Sequence, residues 1–305
     1  LRAQVQHQRR QADSQAPHLQ FAWFNSMKAV IGEIDEAFGR TIIPQSTQLR
    51  FLDVGCCPGG FSSYILSQYP STLGTGLSLP VEWGGHEFLL EDNLRERYAL
   101  IWGDVTQYQL GPQILWKSNL HPFPFNPEYE PGFHLVILDG HPLRSRDVNV
   151  HLRGDHLLIS QLIIGMSTIS QSGTVIMKLS KPERVITSQM LYMLDILCAD
   201  IRTWKPTCMH AIQETFYVIA RGFGDGSQAH RYASILLGLR NLWVELTGAK
   251  QGSHGRRLQP GDLDFIVDQT GILGYLNRLK ELSQHLWEVQ AQSLEGYHVA
   301  KANGF

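Results

Sequence analysis

The chain has 305 residues, 43% of them hydrophobic, with 26 Lys and Arg against 28 Asp and Glu and a net charge of −2. That length holds one large domain, or one domain with an appendage, and the composition is that of an ordinary globular protein. A near-neutral balance argues against a general nucleic-acid binder, so any polyanion must bind a local patch.

Leu1 to Gln20 is rich in Gln and Arg and lacks the apolar core of a signal peptide. No apolar run reaches the roughly 18 residues that a membrane span needs. Four cysteines, Cys56, Cys57, Cys198 and Cys208, form neither a disulfide framework nor paired zinc spacings. The expectation is an intracellular protein, cytoplasmic or nuclear, not secreted, with no membrane contact and no metal. The first residue is Leu rather than Met, as in a trimmed chain.

Residues 1–17 read as a polar tail. From Phe21 to Phe38, "FAWFNSMKAVIGEIDEAF", apolar residues recur at helical spacing and Gly39 is a stop. Strands are then expected at 50–54, 73–77, 98–102, 133–138, 173–179 and 214–220, and helices at 60–68, 155–169 and 188–198. Strands alternating with helices predict an α/β fold, a mostly parallel sheet covered on both faces. The last run, "ETFYVIARGF", follows a turn-rich segment and reads as an antiparallel edge strand. Residues 110–133 carry five prolines and cannot be one regular element; they are either a surface connection or a loop at the mouth of a site. Beyond Gly226 the periodicity is helical. Residues 18–224 are therefore expected to form one α/β domain and 225–305 a helical extension, a candidate surface for a protein partner.

"FLDVGCCPGGFSSYIL", Phe51 to Leu66, joins a strand to a helix through a bare turn. Free N–H groups at a helix start and missing side chains at Gly55, Gly59 and Gly60 suit close approach of a ligand. In open α/β sheets, ligands sit at the carboxyl ends of the strands. The spacing is neither the GxGxxG dinucleotide turn nor a GK[ST] phosphate loop.

The segment "LDVGCCPGGFSSYIL" resembles the S-adenosylmethionine motif of the FtsJ-like methyltransferases, which act on ribose 2′-hydroxyls of RNA. The resemblance runs from about Phe21 to Phe223 in the family's order, through "LIWGDVT", "HLVILDGHP", "SGTVIMKLS" and "WKPTCMHAIQETFYVIARGF". It implies a Rossmann-like methyltransferase fold and S-adenosylmethionine as cofactor. It also implies a donor site from Asp53, Gly55, Cys56, Pro58, Gly59, Gly60 and Phe61, Ser78 after the second strand, Asp104 and Val105 after the third, and Asp139. It further implies a K-D-K-E tetrad of Lys28, Asp139, Lys178 and Glu214. Asn25 competes with Lys28 for the first position. Ser78 stands where the family often has an acidic residue, and Met209-His210 replaces a Ser-Arg pair. The extension has no counterpart in the minimal family domain.

The residue types suit the reaction. Transfer of a methyl group to an alcohol needs alignment and help in deprotonating a poor nucleophile. A lysine flanked by carboxylates can orient the hydroxyl, or take its proton if its own pKa falls. Arg144, Arg146 and Lys181, on loops beyond Asp139 and Lys178, are expected to hold RNA phosphates. Two other readings stay open: a small-molecule O-methyltransferase, and a catalytically silent protein that keeps the fold for binding.

Overall fold

The computed structural model describes residues 16–44, 48–113, 120–126, 132–142, 150–248 and 255–302. Helix α1 (Pro17–Ala37) leads into strand β1 (Arg50–Val54), helix α2 (Gly60–Gln68), strand β2 (Leu73–Ser78), the short helix α3 (Asp92–Arg95) and strand β3 (Tyr98–Trp102). Strand β4 (Phe133–Leu138), helix α4 (Val150–Thr168), strand β5 (Ile169–Ser180), helix α5 (Val185–Leu197), strand β6 (Cys198–Trp204) and strand β7 (Thr215–Phe223) follow. Helices α6 (Tyr232–Thr247) and α7 (Gln269–Ala302) close the chain.

The seven strands form one sheet in the order β3-β2-β1-β4-β5-β7-β6. The first five are parallel, and β7 runs antiparallel to both β5 and β6. Strand order reverses between β1 and β4, which opens a crevice at their carboxyl ends. This is the expected Rossmann-like methyltransferase fold with a helical C-terminal extension. One detail differs. The antiparallel strand β7 lies inside the sheet, and the edge is β6, which the periodicity does not reveal. "CADIRTW" places Asp200 and Arg202 within the strand, charges that an edge tolerates and a sheet interior does not. Arg221 on β7 pairs with Asp200 across the two strands.

Each face of the sheet carries its own apolar layer. On one side Val30, Ile31 and Ile34 of α1 and Phe61, Ile65 and Leu66 of α2 pack over Phe51, Leu135 and Ile137. On the other, α4, α5, α6 and α7 share a layer with Val54, Val136 and Val218. Trp243 of α6 is fully buried there, its indole N–H donating to Ser160 Oγ on α4 at 3.1 Å. Burying an aromatic ring of this size stabilises strongly only if its N–H is satisfied, as here. Helix α7, 34 residues long, lies along α5 and β6, and Thr203 Oγ1 donates to Leu282 O. Among the described residues, no helix is long and apolar enough to cross a membrane.

Lys205 fastens α7 to the turn before β7. Its buried ammonium donates to Gln213 O, to Thr215 O at 2.9 Å and to Gln290 Oε1 on α7 at 3.2 Å. Burial pulls its pKa down to about 8, which the nearby Glu214 resists.

Candidate active site

The site begins at the carboxyl end of β1. Its N–H groups hand over to β2, with Gly55 N and Cys56 N both donating to Leu77 O, at 2.8 and 3.2 Å. Cys56, Cys57, Pro58, Gly59, Gly60 and Phe61 are all buried, and the Cys57–Pro58 peptide is cis. Residues 86–90 lie against this turn, and Leu89 N donates to Pro58 O at 2.9 Å. Two of the glycines answer to the protein rather than to open space. A Cβ on Gly55, whose φ is +83°, would stand 2.5 Å from Gly140 Cα, so β1 and β4 meet there backbone to backbone. A Cβ on Gly60 would stand 2.3 Å from Phe24 O, so its absence lets α2 pack on α1.

Asp53, next to last in β1, is fully enclosed. Ser62 Oγ donates to its Oδ2 at 2.7 Å, and Oδ1 has no hydrogen-bond partner among the described residues. Burial, opposed by Ser62 and reinforced by Asp139, pushes its pKa up to about 7. A carboxyl that keeps its proton in the folded state but not in the unfolded one stabilises the fold at low pH. That stability is full below the unfolded pKa near 4 and is lost as pH rises through 7. Asp53→Asn, a permanent mimic of the protonated form, should match wild type at pH 4 and melt at a higher temperature at pH 8. Melting curves of the ligand-free proteins across that range give the difference directly.

Further along the same edge, Ser78 is buried at the end of β2. Asp104, after β3, caps a short 3-10 turn (Val105–Gln107), its Oδ1 accepting from Thr106 N at 2.9 Å and Thr106 Oγ1 at 2.6 Å. Val105 is buried beneath it.

The most concentrated chemistry sits where β4 ends. Asp139 is 5% exposed. Lys178, on β5, donates to Asp139 O at 2.6 Å and pairs with Asp139 Oδ1 at 2.9 Å. Tyr217, directly opposite Lys178 in the β5–β7 register, donates to the same Oδ1 at 2.9 Å. Burial raises the Asp139 pKa, against the pull of Lys178 and Tyr217. The Tyr217 hydroxyl is held well above its usual range by burial and by Asp139. His210 is buried beside this group; desolvation, then the Lys178 charge, pull its pKa down to about 3, so it is neutral. Gln161 of α4 clamps the next residue, accepting from Gly140 N at 2.8 Å and donating to Gly140 O at 3.2 Å.

The other two tetrad candidates are paired elsewhere. Lys28 Nζ bonds Glu91 Oε1 at 3.0 Å, and Glu214 Oε2 bonds Lys181 Nζ at 2.9 Å. Among the described residues no hydrogen bond or ion pair joins either to Asp139 or Lys178. Asn25 is not drawn into the cluster by any described contact. Arg144 and Arg146 lie outside the described residues. Tyr217, Gln161 and His210 were missed by sequence reasoning. Only Tyr217 left a signal, since a tyrosine on a strand that must lie beside the Lys178 strand needs a partner for its hydroxyl.

A structure described as a ribosomal RNA methyltransferase from Plasmodium falciparum aligns at 17% identity and a TM-score of 0.42, over 63% of this chain and 94% of its own. A TehB-like S-adenosylmethionine-dependent methyltransferase from Corynebacterium glutamicum aligns at 10% identity and a TM-score of 0.36, over 64% and 87%. An amino pentose methyltransferase from Micromonospora echinaspora, solved with S-adenosylmethionine bound, aligns at 16% and a TM-score of 0.31, over 57% and 56%. At these values the likenesses bear on neither substrate nor mechanism. No curated protein matches the sequence. The family model for FtsJ-like methyltransferases, in contrast, matches residues 31–223, more than half of the chain. The chain belongs to the FtsJ-like methyltransferases, and its cofactor is S-adenosylmethionine.

Proposed function

We propose that the chain transfers a methyl group to a ribose 2′-hydroxyl of RNA. The observation that carries this reading is the buried Asp139–Lys178 pair beside the glycine turn. S-adenosylmethionine, when bound, supplies an electrophilic methyl group on a sulfonium. Asp53, Gly55, Cys56, Pro58, Gly59, Gly60 and Phe61 would hold it, with Ser78, Val105 and Asp139 along the strand ends. The fit is chemical. Asp53 Oδ1 is buried and lacks a donor, which suits a ligand rich in hydroxyl and ammonium groups. Asp104 spends Oδ1 on Thr106 and keeps Oδ2 for an exocyclic amine.

Lys178 has three N–H donors, of which two contacts go to Asp139. The third has no partner among the described residues and would meet the acceptor oxygen. As the new oxygen–carbon bond would form, the methyl–sulfur bond would break and the hydroxyl proton would pass to solvent. The ammonium's part is to hold the hydroxyl in line and to stabilise the alkoxide character left as that proton leaves. An ammonium pinned by a carboxylate suits orienting and charge stabilisation better than proton abstraction. Tyr217 donates to the same Oδ1 and fixes the orientation of the Asp139 carboxylate. Lys28 and Glu214, the remaining members of the tetrad, act at longer range through charge, because their direct partners are Glu91 and Lys181. Arg144, Arg146 and Lys181 are the proposed contacts to RNA phosphates. Residues 18–224 form the catalytic unit in this reading, with 225–305 as its extension.

The test is transfer of labelled methyl from S-adenosylmethionine to mixed RNA and to DNA of matching sequence. Label should enter RNA alone. Equal labelling of both, or label only in small hydroxyl compounds, would contradict a 2′-hydroxyl acceptor.

A further inference from the structure

We propose that the cavity between α7 and the strand ends of β5 and β7 receives one nucleobase of the RNA acceptor, stacked on Trp287. This rests on the reading of RNA as substrate. The cavity measures about 290 Å³ and is lined by Lys181, Pro182, Glu214, Trp287, Gln290 and Leu294, among others. That is at the small end of the roughly 300–1,000 Å³ of ligand sites, room for one flat unit and not for a duplex.

Its position ties it to the reacting pair. Lys181 follows Lys178 by three residues along the end of β5, about 10 Å away at roughly 3.3 Å per residue. The cavity is therefore too far from Lys178 to hold the ribose being methylated, and near enough for the base of a neighbouring nucleotide. The turn at its edge is held under strain. Lys181 has φ +56°, a left-handed conformation uncommon for a residue with a side chain, and it is kept there by two links to Glu214. Lys181 N donates to Glu214 O at 3.2 Å and Lys181 Nζ pairs with Glu214 Oε2 at 2.9 Å.

The lining selects the ligand. Glu183 and Glu214 outnumber the single lysine, so a phosphate is disfavoured in the cavity itself. A neutral, planar group with amino donors is favoured, since a carboxylate or the Gln290 amide oxygen accepts from the exocyclic amine of a base. Trp287 is 44% exposed although large and aromatic, and it stands in the wall of a cavity otherwise part apolar. An indole offered in this way is a stacking platform for a base. Gln290, bonded to Lys205, fixes the same stretch of α7 to the turn that carries Glu214. The C-terminal extension would thus complete the acceptor site.

The experiment compares the full chain with Trp287→Ala and Trp287→Phe. It measures affinity for mixed-sequence single-stranded RNA over a range of salt, affinity for S-adenosylmethionine, and methyl transfer. Trp287→Ala should weaken RNA binding about tenfold or more, with the salt slope unchanged because no phosphate contact is lost. Trp287→Phe should stay within about threefold of wild type, as ring stacking is retained. Donor affinity should be the same in all three, which also reports that the variants are folded. RNA affinity unchanged in Trp287→Ala, while wild type binds and methylates RNA, would overturn the base site and leave the RNA reading standing. A wild type that neither binds nor methylates RNA would overturn both.

Discussion

Lys178→Ala should lower methyl transfer at least about 100-fold while leaving the affinity for S-adenosylmethionine within a few-fold. The lysine is the only described cation bonded to Asp139, through the carbonyl oxygen at 2.6 Å and Oδ1 at 2.9 Å. Without it, the positive charge proposed to face the acceptor oxygen is gone. Asp139 would then sit buried with Tyr217 as its one described donor. Losing one partner of a buried ion pair costs about 3–5 kcal/mol when the other stays charged. Here burial already favours the protonated Asp139 carboxyl, so proton uptake relieves part of that cost. Melting curves would confirm that the variant is folded at the assay temperature. Lys28→Ala and Glu214→Ala should each cost less than about tenfold, since their bonds run to Glu91 and Lys181 and long-range charge is screened. Rates measured in parallel, at saturating donor, rank these three residues of the proposed tetrad. A loss for Lys28→Ala as deep as for Lys178→Ala would mean that both lysines bear on the acceptor directly.

Gly55→Ala should be strongly damaging, because it combines a backbone clash with a conformation that disfavours a side chain. Its Cβ would stand 2.5 Å from Gly140 Cα and 2.7 Å from Gly140 N, both backbone atoms that cannot swing aside. The residue also has φ +83°, where a side chain is strained whatever the space. Strain of roughly 1–3 kcal/mol and overpacking of a similar size together give a loss of about 2–6 kcal/mol. For a chain of this size that lowers the melting temperature by something on the order of 3–10 °C. The clash also pushes apart β1 and β4, the strands that present Asp53 and Asp139, so methyl transfer should fall with stability. Gly39→Ala is the control. Its φ is +65°, with nothing within 4 Å of the added carbon, so it bears strain alone and should lose only about 1 kcal/mol. Thermal unfolding of the two variants separates close approach from conformation, and equal losses would remove the packing argument.

The parts of this fold written in local sequence were readable. Strand β1 and helix α2 lie at the expected residues 50–54 and 60–68, because an apolar run, a glycine-proline break and a resumed helical period are all short-range signals. Asp139 and Lys178 are proposed from the resemblance of "HLVILDGHP" and "SGTVIMKLS" to the family's segments, and the fold brings the two side chains into contact. Partners were not legible. Lys28 meets Glu91 across 63 residues of chain, and Tyr217 reaches Asp139 across 78, contacts fixed by helix packing and by the antiparallel β5–β7 register. Gly60 shows the same limit from the other side. Its missing side chain reads as room for a ligand, whereas the place of that side chain is filled by Phe24 O of α1 and only the Gly60 backbone is left to a ligand. Strand β6 was hidden by its own charges, which suit an edge but mask its period. Lys205 reads as half of a Lys-Pro pair, and only the fold brings it between the Glu214 turn and α7.

The most direct measurement identifies the methylated nucleoside. RNA treated with wild-type protein and labelled S-adenosylmethionine is digested to nucleosides, and the labelled product is resolved by chromatography and mass spectrometry. The account predicts label on ribose alone, as a 2′-O-methyl nucleoside with an unmodified base. Label on a base would contradict it, because the Lys178–Asp139 pair would then be serving a nitrogen or carbon acceptor and not a hydroxyl.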